Sequence, residues 1–595
     1  MTRHAVLVSL PLLLLPLACA KPETTAIPPA PPPGIDGVAA VAGDDDFGGD
    51  DLGDASLPDV GGDAVVARIV ELGTRDSQAG PMLKEMTESF GPRLTGSHGL
   101  MAAEVWCRDK FRSFGLDAEL EQWGEIAVGF DRGPWSGKMV APEALDLVFT
   151  TPAWTPGVFG PVRGTAIAYP KSVKAVKALG KATKGAWVLE PRDTGVDDKV
   201  EEKIDAALLA AGIAGFVKRA RDNEGLVHTS GRSQITWDDM PKLPEVVLAA
   251  GQWDTIAKHV DGGDAVELEF SIDNRMFRGP VPQHNVIATL PGTDKADEFV
   301  VVGGHLDSWD GAQGANDNGT GVATTLEAAR LLTRAGAKPR RTIVFMLWSG
   351  EEQGLLGSKG YVQAHPEQMD AISAVLVHDG GTNYLSGLGV TREMRPQMEQ
   401  AFAPVFKLDP EGHPFVLEEA DSLRPGGSDH TPFITAGVPG FFWNQDGRSN
   451  YDFVHHTQHD TLANVIDEYQ RHSAMVVALG AYGLANLDEK LDRTNSAPVP
   501  RRRLGASMDG AKIRGVDDGV GKKAGLRPGD VIVAVEGEAV EGRWGPVRAL
   551  QKGGPKKTIT VERGGKKVDL TLDWSDDPGE AERAARRAAR EGEAK

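Results

Sequence analysis

Cysteine is nearly absent: Cys19 and Cys107 are the only two in 595 residues. A disulfide-stapled scaffold is therefore not expected. Basic charge is also scarce, with 64 Lys and Arg against 85 Asp and Glu and a formal net charge of -21. Phosphate contacts need a basic face, so nucleic acid is not an expected partner. No apolar run approaches the roughly 20 residues that span a bilayer. Glycine and proline, by contrast, are abundant at 72 and 38. A chain this long exceeds what one hydrophobic core supports, so roughly two to four domains are expected.

Arg3 and His4, an apolar stretch from Ala5 to Leu17 and the small residues after it read as an export signal over residues 1–20. Ala18-Cys19-Ala20 fits ordinary signal cleavage, while Leu17-Ala18-Cys19 resembles a lipobox with a lipid anchor on Cys19. The expected location is the cell envelope (periplasm or outer membrane) for the lipoprotein, or the exterior for the secreted form. Either processing leaves Cys107 alone. It shares a helical face with Leu100, Ala103 and Phe111, so it reads as a buried apolar residue and not a nucleophile. Residues 21–63, rich in Pro, Gly, Ala and Asp, read as a disordered linker, because too few apolar residues are present to order them. The Asp44-Asp45-Asp46 cluster lacks the spacing and terminal Glu of an EF-hand.

Helical periodicity begins near Ala64 and recurs over Met82–Phe90 and Leu100–Phe114. Residues 124–280 change to short β-rich runs among many glycines and prolines and read as an inserted domain. From Asn285 to Leu487 strands alternate with helices, which argues for an α/β domain: a mostly parallel sheet covered on both faces, assembled from residues 64–123 and 281–490. Residues 500–575 form a small β-rich unit, and 576–595 a charged tail able to form at best a marginal helix.

Five segments of the α/β domain carry metal-binding side chains: His305 in His-Leu-Asp-Ser, Asp317 in Asn-Asp-Asn-Gly, Glu351-Glu352 after Trp348-Ser349-Gly350, Asp379 in His-Asp-Gly-Gly, and His456 after His455. Open α/β sheets place ligands beyond the carboxyl ends of their strands, and four of these segments follow such an end. Two His with several carboxylates suit two zinc ions. A pair of cations about 3.5–4 Å apart needs a bridge, which a carboxylate can supply and a neutral imidazole cannot. Asp317, in a turn before a helix, is the expected bridge, with His305 and Asp379 completing one ion's set and Glu352 and His456 the other's. Glu351 then remains as general base for a water whose pKa coordination lowers to about 7. Asp307, two residues past His305, is placed to accept the second ring N–H of a ligand His. Any one of these motifs alone is an ordinary polar loop, and their joint occurrence in this order carries the metal reading. His228, His259, His365 and His413 read as surface residues, and His430 and His459 as neighbours of the cleft.

Together His305-Leu306-Asp307-Ser308-Trp309-Asp310, Asn316-Asp317-Asn318-Gly319-Thr320-Gly321, Ser349-Gly350-Glu351-Glu352-Gln353-Gly354, Ser428-Asp429-His430 and His456-Thr457-Gln458-His459-Asp460-Thr461 resemble the M28 family of co-catalytic zinc exopeptidases. The likeness runs from about Ala64 to Leu487, and the middle segment resembles the protease-associated (PA) insert of several members. It implies zinc ligation by His305, Asp317, Glu352, Asp379 and His456, with Glu351 as base. It also implies short peptide substrates, cut as dipeptides or at one terminus, by a dipeptidase-like or aminopeptidase activity. Some members have a Tyr just before the last ligand His to stabilise the tetrahedral intermediate. Here His455 stands in that place, able to donate the same hydrogen bond or to orient its neighbours. Residues 500–575 resemble a PDZ domain, with Arg501-Arg502-Arg503-Leu504-Gly505-Ala506 like its carboxylate-binding loop, and so imply a C-terminal peptide ligand. Two rivals stay open: a one-zinc acyltransferase of the glutaminyl-cyclase type, and a noncatalytic receptor-like protein. The complete ligand set and Glu351 argue against both.

Overall fold

A computed structural model describes residues 57–221, 225–497, 501–542 and 545–593. The export signal with Cys19, and the linker up to residue 56, lie outside the described residues. The strands Lys295–His305, Arg341–Trp348 and Ile372–Val377 pair in parallel, with Gly440–Phe442 beyond the last of them. Arg341–Trp348 and Ile372–Val377 are buried along their whole length, so each face of the sheet needs its own cover. Val300, Val302, Phe345, Leu347 and Leu376 pack with residues of helices Ala64–Arg75, Ala79–Phe90, His98–Ser113, Thr320–Arg334 and Asp467–Ala485. Their alternates Val301, Val344, Met346, Val375 and Val377 pack with Tyr361 of helix Leu356–Ala364 and Phe433 of His430–Thr435. This period-two division is the expected α/β sandwich. Cys107 lies fully buried within the first of these layers.

Two long antiparallel strands, Asp117–Ala141 and Glu267–Leu290, run from this domain into the insert, paired from Asp117↔Thr289 to Ala141↔Glu267. One end of Glu267–Leu290 pairs with Arg341–Trp348 and the other with Val162–Ala168, so a single ribbon belongs to both sheets. The boundaries expected at residues 124 and 281 fall inside that ribbon, where Glu125 faces Pro282. Within the insert, Val162–Ala168, Trp187–Glu190, Gly215–Arg219 and Glu245–Leu248 form a parallel array. Helices Val173–Leu179, Asp198–Ala211 and Ala250–Gly262 alternate with them. The insert is thus more helical than its glycine- and proline-rich sequence suggests. Its helices are short and mostly polar, burying few apolar residues such as Val176, Ile204, Leu208 and Ile256, so their periodicity is faint.

The C-terminal unit is an antiparallel sheet of Ala506–Asp509, Lys512–Val516, Val531–Val535, Lys556–Arg563 and Lys566–Asp573 around Ile532, Ile559, Val561, Leu572 and Trp574. Arg502, in the loop read as carboxylate-binding, is instead consumed internally. It is buried and donates to Glu580 at 2.8 Å and to the carbonyls of Leu550, Lys552 and Gly553. Glu580 also anchors the tail helix Glu580–Glu593 at its start. No helix among the described residues is long and apolar enough to cross a membrane.

Candidate metal centre

His305 ends its strand and pairs in register with Trp348, the last residue of the neighbouring strand. Two residues beyond Trp348 the chain turns through Gly350, at φ 75°, into Glu351-Glu352. Asp379 follows Ile372–Val377 on the other side of the His305 strand. Parallel pairing therefore brings three of the five segments to one sheet edge. Asp317 arrives from the turn before Thr320–Arg334. The Asn316 and Asp317 N–H groups donate to the Asp460 carboxylate at 2.5 and 3.2 Å, and the Asn318 amide donates to the His378 carbonyl at 2.8 Å.

Asp317 lies between the two histidines: its Oδ1 is 3.3 Å from His305 Nε2 and its Oδ2 is 3.2 Å from His456 Nε2. Asp379 Oδ1 is 3.2 Å from His305 Nε2, and Glu352 Oε2 is 2.9 Å from His456 Nε2. His455 Nε2 stands 3.7 Å from Asp317 Oδ2. Ligand atoms of His305, Asp317 and Asp379 lie within 4.8 Å of one another, as do those of Asp317, His455 and His456. Glu351 lines the same cleft of about 560 Å³ with Glu352, Asp379 and Tyr451.

Four carboxylates around two imidazoles leave an excess of negative charge. Burial opposes a charged His305, but Asp379 and Glu351 outweigh it and hold its pKa well above the usual value. His456, likewise opposed by burial, is pushed up to about 10, chiefly by Glu352 and Asp317. Burial would raise Asp317, yet His305 and His456 hold it well below the carboxylate range. Burial followed by Asp317 raises Glu352 to about 7, and burial is the main cause that lifts Glu351 well above its ordinary value. Protons on the histidines are thus doing what cations do in such a cluster. Asp317 Oδ2 and Glu352 Oε1 are buried acceptors without a well-formed hydrogen bond, a costly state that coordination to a cation would relieve. The donor set, nitrogen and carboxylate oxygen, fits zinc.

Asp307 does not use its carboxylate on His305, as its spacing suggested. The Asp307 carbonyl accepts from His305 Nδ1 at 2.9 Å, whereas its Oδ1 is 3.7 Å away. The carboxylate instead accepts the N–H groups of Glu351 and Glu352 at 3.1 and 3.3 Å and the Thr95 hydroxyl at 2.7 Å, fixing the glutamate turn. Arg93, which sequence reasoning missed, is fully buried and donates to the carbonyls of Leu306, Gln313 and Gly314, clamping the loop between His305 and Asp317. Asp310 of that loop pairs with Arg132 of the long ribbon at 2.9 and 3.1 Å. His228, expected at the surface, bridges to Thr457, and the next residue, Thr229, donates its N–H to the His456 carbonyl at 2.8 Å. The insert thereby reaches the ligand loop itself.

A carboxylate flanked by two imidazoles at the carboxyl edge of a helix-covered sheet, with a spare glutamate beside it, is the centre of a metal-dependent hydrolase. Residues 285–480 match the model of peptidase family M28, and residues 513–563 that of a PDZ domain. The chain thus carries an M28 peptidase domain followed by a PDZ domain. It is 27% identical to carboxypeptidase Q of Mus musculus over 420 residues, which is 69% of this chain and 86% of that protein. It is 32% identical to leupeptin-inactivating enzyme 1 of Streptomyces exfoliatus over 255 residues, 39% of this chain and 57% of that protein. A solved peptidase M28 precursor from Shewanella amazonensis SB2B is 25% identical with a TM-score of 0.54, covering 74% of this chain and 98% of that one.

Proposed function

We propose that this chain is an exported two-zinc exopeptidase that cleaves dipeptides or removes single terminal residues from short peptides. The observation that carries this reading is Asp317, which offers one oxygen to His305 and the other to His456. His305, Asp317 and Asp379 would hold one ion, and Asp317, Glu352 and His456 the other. Bound there, the pair supplies carbonyl polarisation and acidifies a water. Glu351, nine-tenths buried and oriented through its own N–H to Asp307, takes the proton from the attacking water and delivers it to the leaving amine. His455, whose imidazole burial keeps neutral, has an N–H to offer the developing oxyanion.

The cleft has the volume of a small-molecule site, and Thr229 of the insert sits with Trp309 against its ligand loop, which suits short substrates over folded proteins. The PA-like role proposed for the insert is to cap that cleft. Lys359 on the wall is a cation that a free α-carboxylate would meet. The PDZ domain would take a C-terminal peptide along its edge strand Ala506–Asp509. In the envelope, Cys19 would carry the lipid if the lipobox is used.

The test is hydrolysis of a dipeptide panel with free and blocked termini, alongside Glu351→Gln. The expected result is cleavage by the wild type and a loss of roughly 10²–10⁴-fold in the variant with zinc retained. A variant that kept both zinc and full activity would show that Glu351 is not the base.

A further inference from the structure

The last ligand stands at the end of a pile of rings. His456 packs against His455 with centroids 3.8 Å apart, and His455 stacks on Tyr451 at 4.9 Å with the planes 28° apart. One turn of helix, Tyr451–Val454, sets this up, closing with the His455 N–H on the Tyr451 carbonyl at 2.8 Å. The far edge of the Tyr451 ring lies over Gly381, two residues past Asp379. A Cβ there would come within 2.7 Å of the ring, and the φ of 81° also favours glycine. Tyr451 therefore spans the gap between the Asp379 loop and the His456 loop, and it lines the cleft with Glu351, Glu352 and His455. Among the described residues its hydroxyl has no hydrogen-bond partner, whereas the Tyr169 and Tyr361 hydroxyls are each bonded to a side chain. A half-buried phenol left free beside a reaction centre is a donor waiting for an acceptor.

We propose that Tyr451 is a catalytic residue, its O–H donating to the carbonyl oxygen that gains negative charge as the scissile carbon becomes tetrahedral. The role rests on the peptidase reading above. Tyr451 shares the task with His455 and carries the larger part, because the His455 side chain is 44% exposed and a hydrogen bond from it is the more screened by solvent. The tyrosine lacking just before the last ligand is thus supplied from one helical turn earlier.

The experiment compares wild type with Tyr451→Phe for kcat, KM, zinc content and inhibition by a phosphinic dipeptide, which mimics the tetrahedral species, and by a product amino acid. Expected are a kcat lower by roughly 10²–10³-fold, an unchanged KM and zinc content, and weaker binding of the phosphinic compound alone. His455→Gln should lose less. A Tyr451→Phe enzyme with wild-type kcat overturns the role, as does one in which zinc is lost or in which both inhibitors weaken equally, since those mark a structural part. A wild-type chain that binds zinc yet cleaves no peptide overturns the peptidase reading and this role with it. A cleaving wild type matched by the variant overturns this role alone.

Discussion

The two halves of the metal centre are built differently. His305 is the last residue of a central strand, 1% exposed, with its second nitrogen held by a carbonyl two residues on. His456 sits on a loop, 29% exposed, in the left-handed backbone region at φ 59°, and its carbonyl is held by Thr229 of the insert. A non-glycine residue in that region costs about 1–3 kcal/mol, so surrounding contacts have to maintain it. One half is thus part of the sheet, while the other is completed by a loop that a different domain braces. Asp317 joins them, and its own backbone is fixed by Asp460 from the His456 loop.

With two zinc ions bound as proposed, this contrast predicts unequal hold on them. His305→Ala and His456→Ala should each abolish turnover, but in dialysis against graded chelator the His456→Ala protein keeps one zinc as firmly as the tighter site of the wild type. Equal loss from both variants would erase the distinction. The brace should matter next. Breaking the buried Arg132–Asp310 pair with Asp310→Ala leaves an uncompensated guanidinium and should cost about 3–5 kcal/mol in denaturant unfolding. A change below about 1 kcal/mol would mean that the ribbon does not secure the loop. The smallest effect is on pH dependence. His456, raised to about 10, stabilises the metal-free fold fully below its unfolded pKa of about 6.5 and loses that contribution as pH rises through 10. Glu352, raised to about 7, acts in the same direction from about 4.3 upward. The melting temperature of metal-free protein should therefore fall from pH 6 to 10 more than that of zinc-loaded protein, where cations replace the protons. Parallel curves would contradict the assignment.

Much of the site is legible in the sequence because its ligands follow strand ends and helix starts, where local pattern is strong. His305, Glu351-Glu352 and Asp379 can be placed on one edge from the strands before them. Asp317 is readable through its Asn-Asp-Asn-Gly turn. The supports are not. Arg93 lies more than 200 residues from the loop it clamps, and nothing in Gly-Pro-Arg-Leu predicts burial of its guanidinium. Arg132 and Thr229 act only because a long ribbon folds the insert back onto the centre. Asp307 shows the limit of spacing: two residues after His305 it has the right type and place, but the turn directs its carbonyl to the histidine and its carboxylate to the glutamates. The fold was readable for similar reasons, with the buried parallel strands clear and the short polar helices of the insert obscure.

The account depends most on Asp317 serving both halves. Anomalous diffraction at the zinc edge, on crystals of zinc-loaded protein, tests it directly. Two peaks about 3.5–4 Å apart, one on each side of the Asp317 carboxylate, are predicted. A single peak, or two that leave one Asp317 oxygen without a cation, would contradict it.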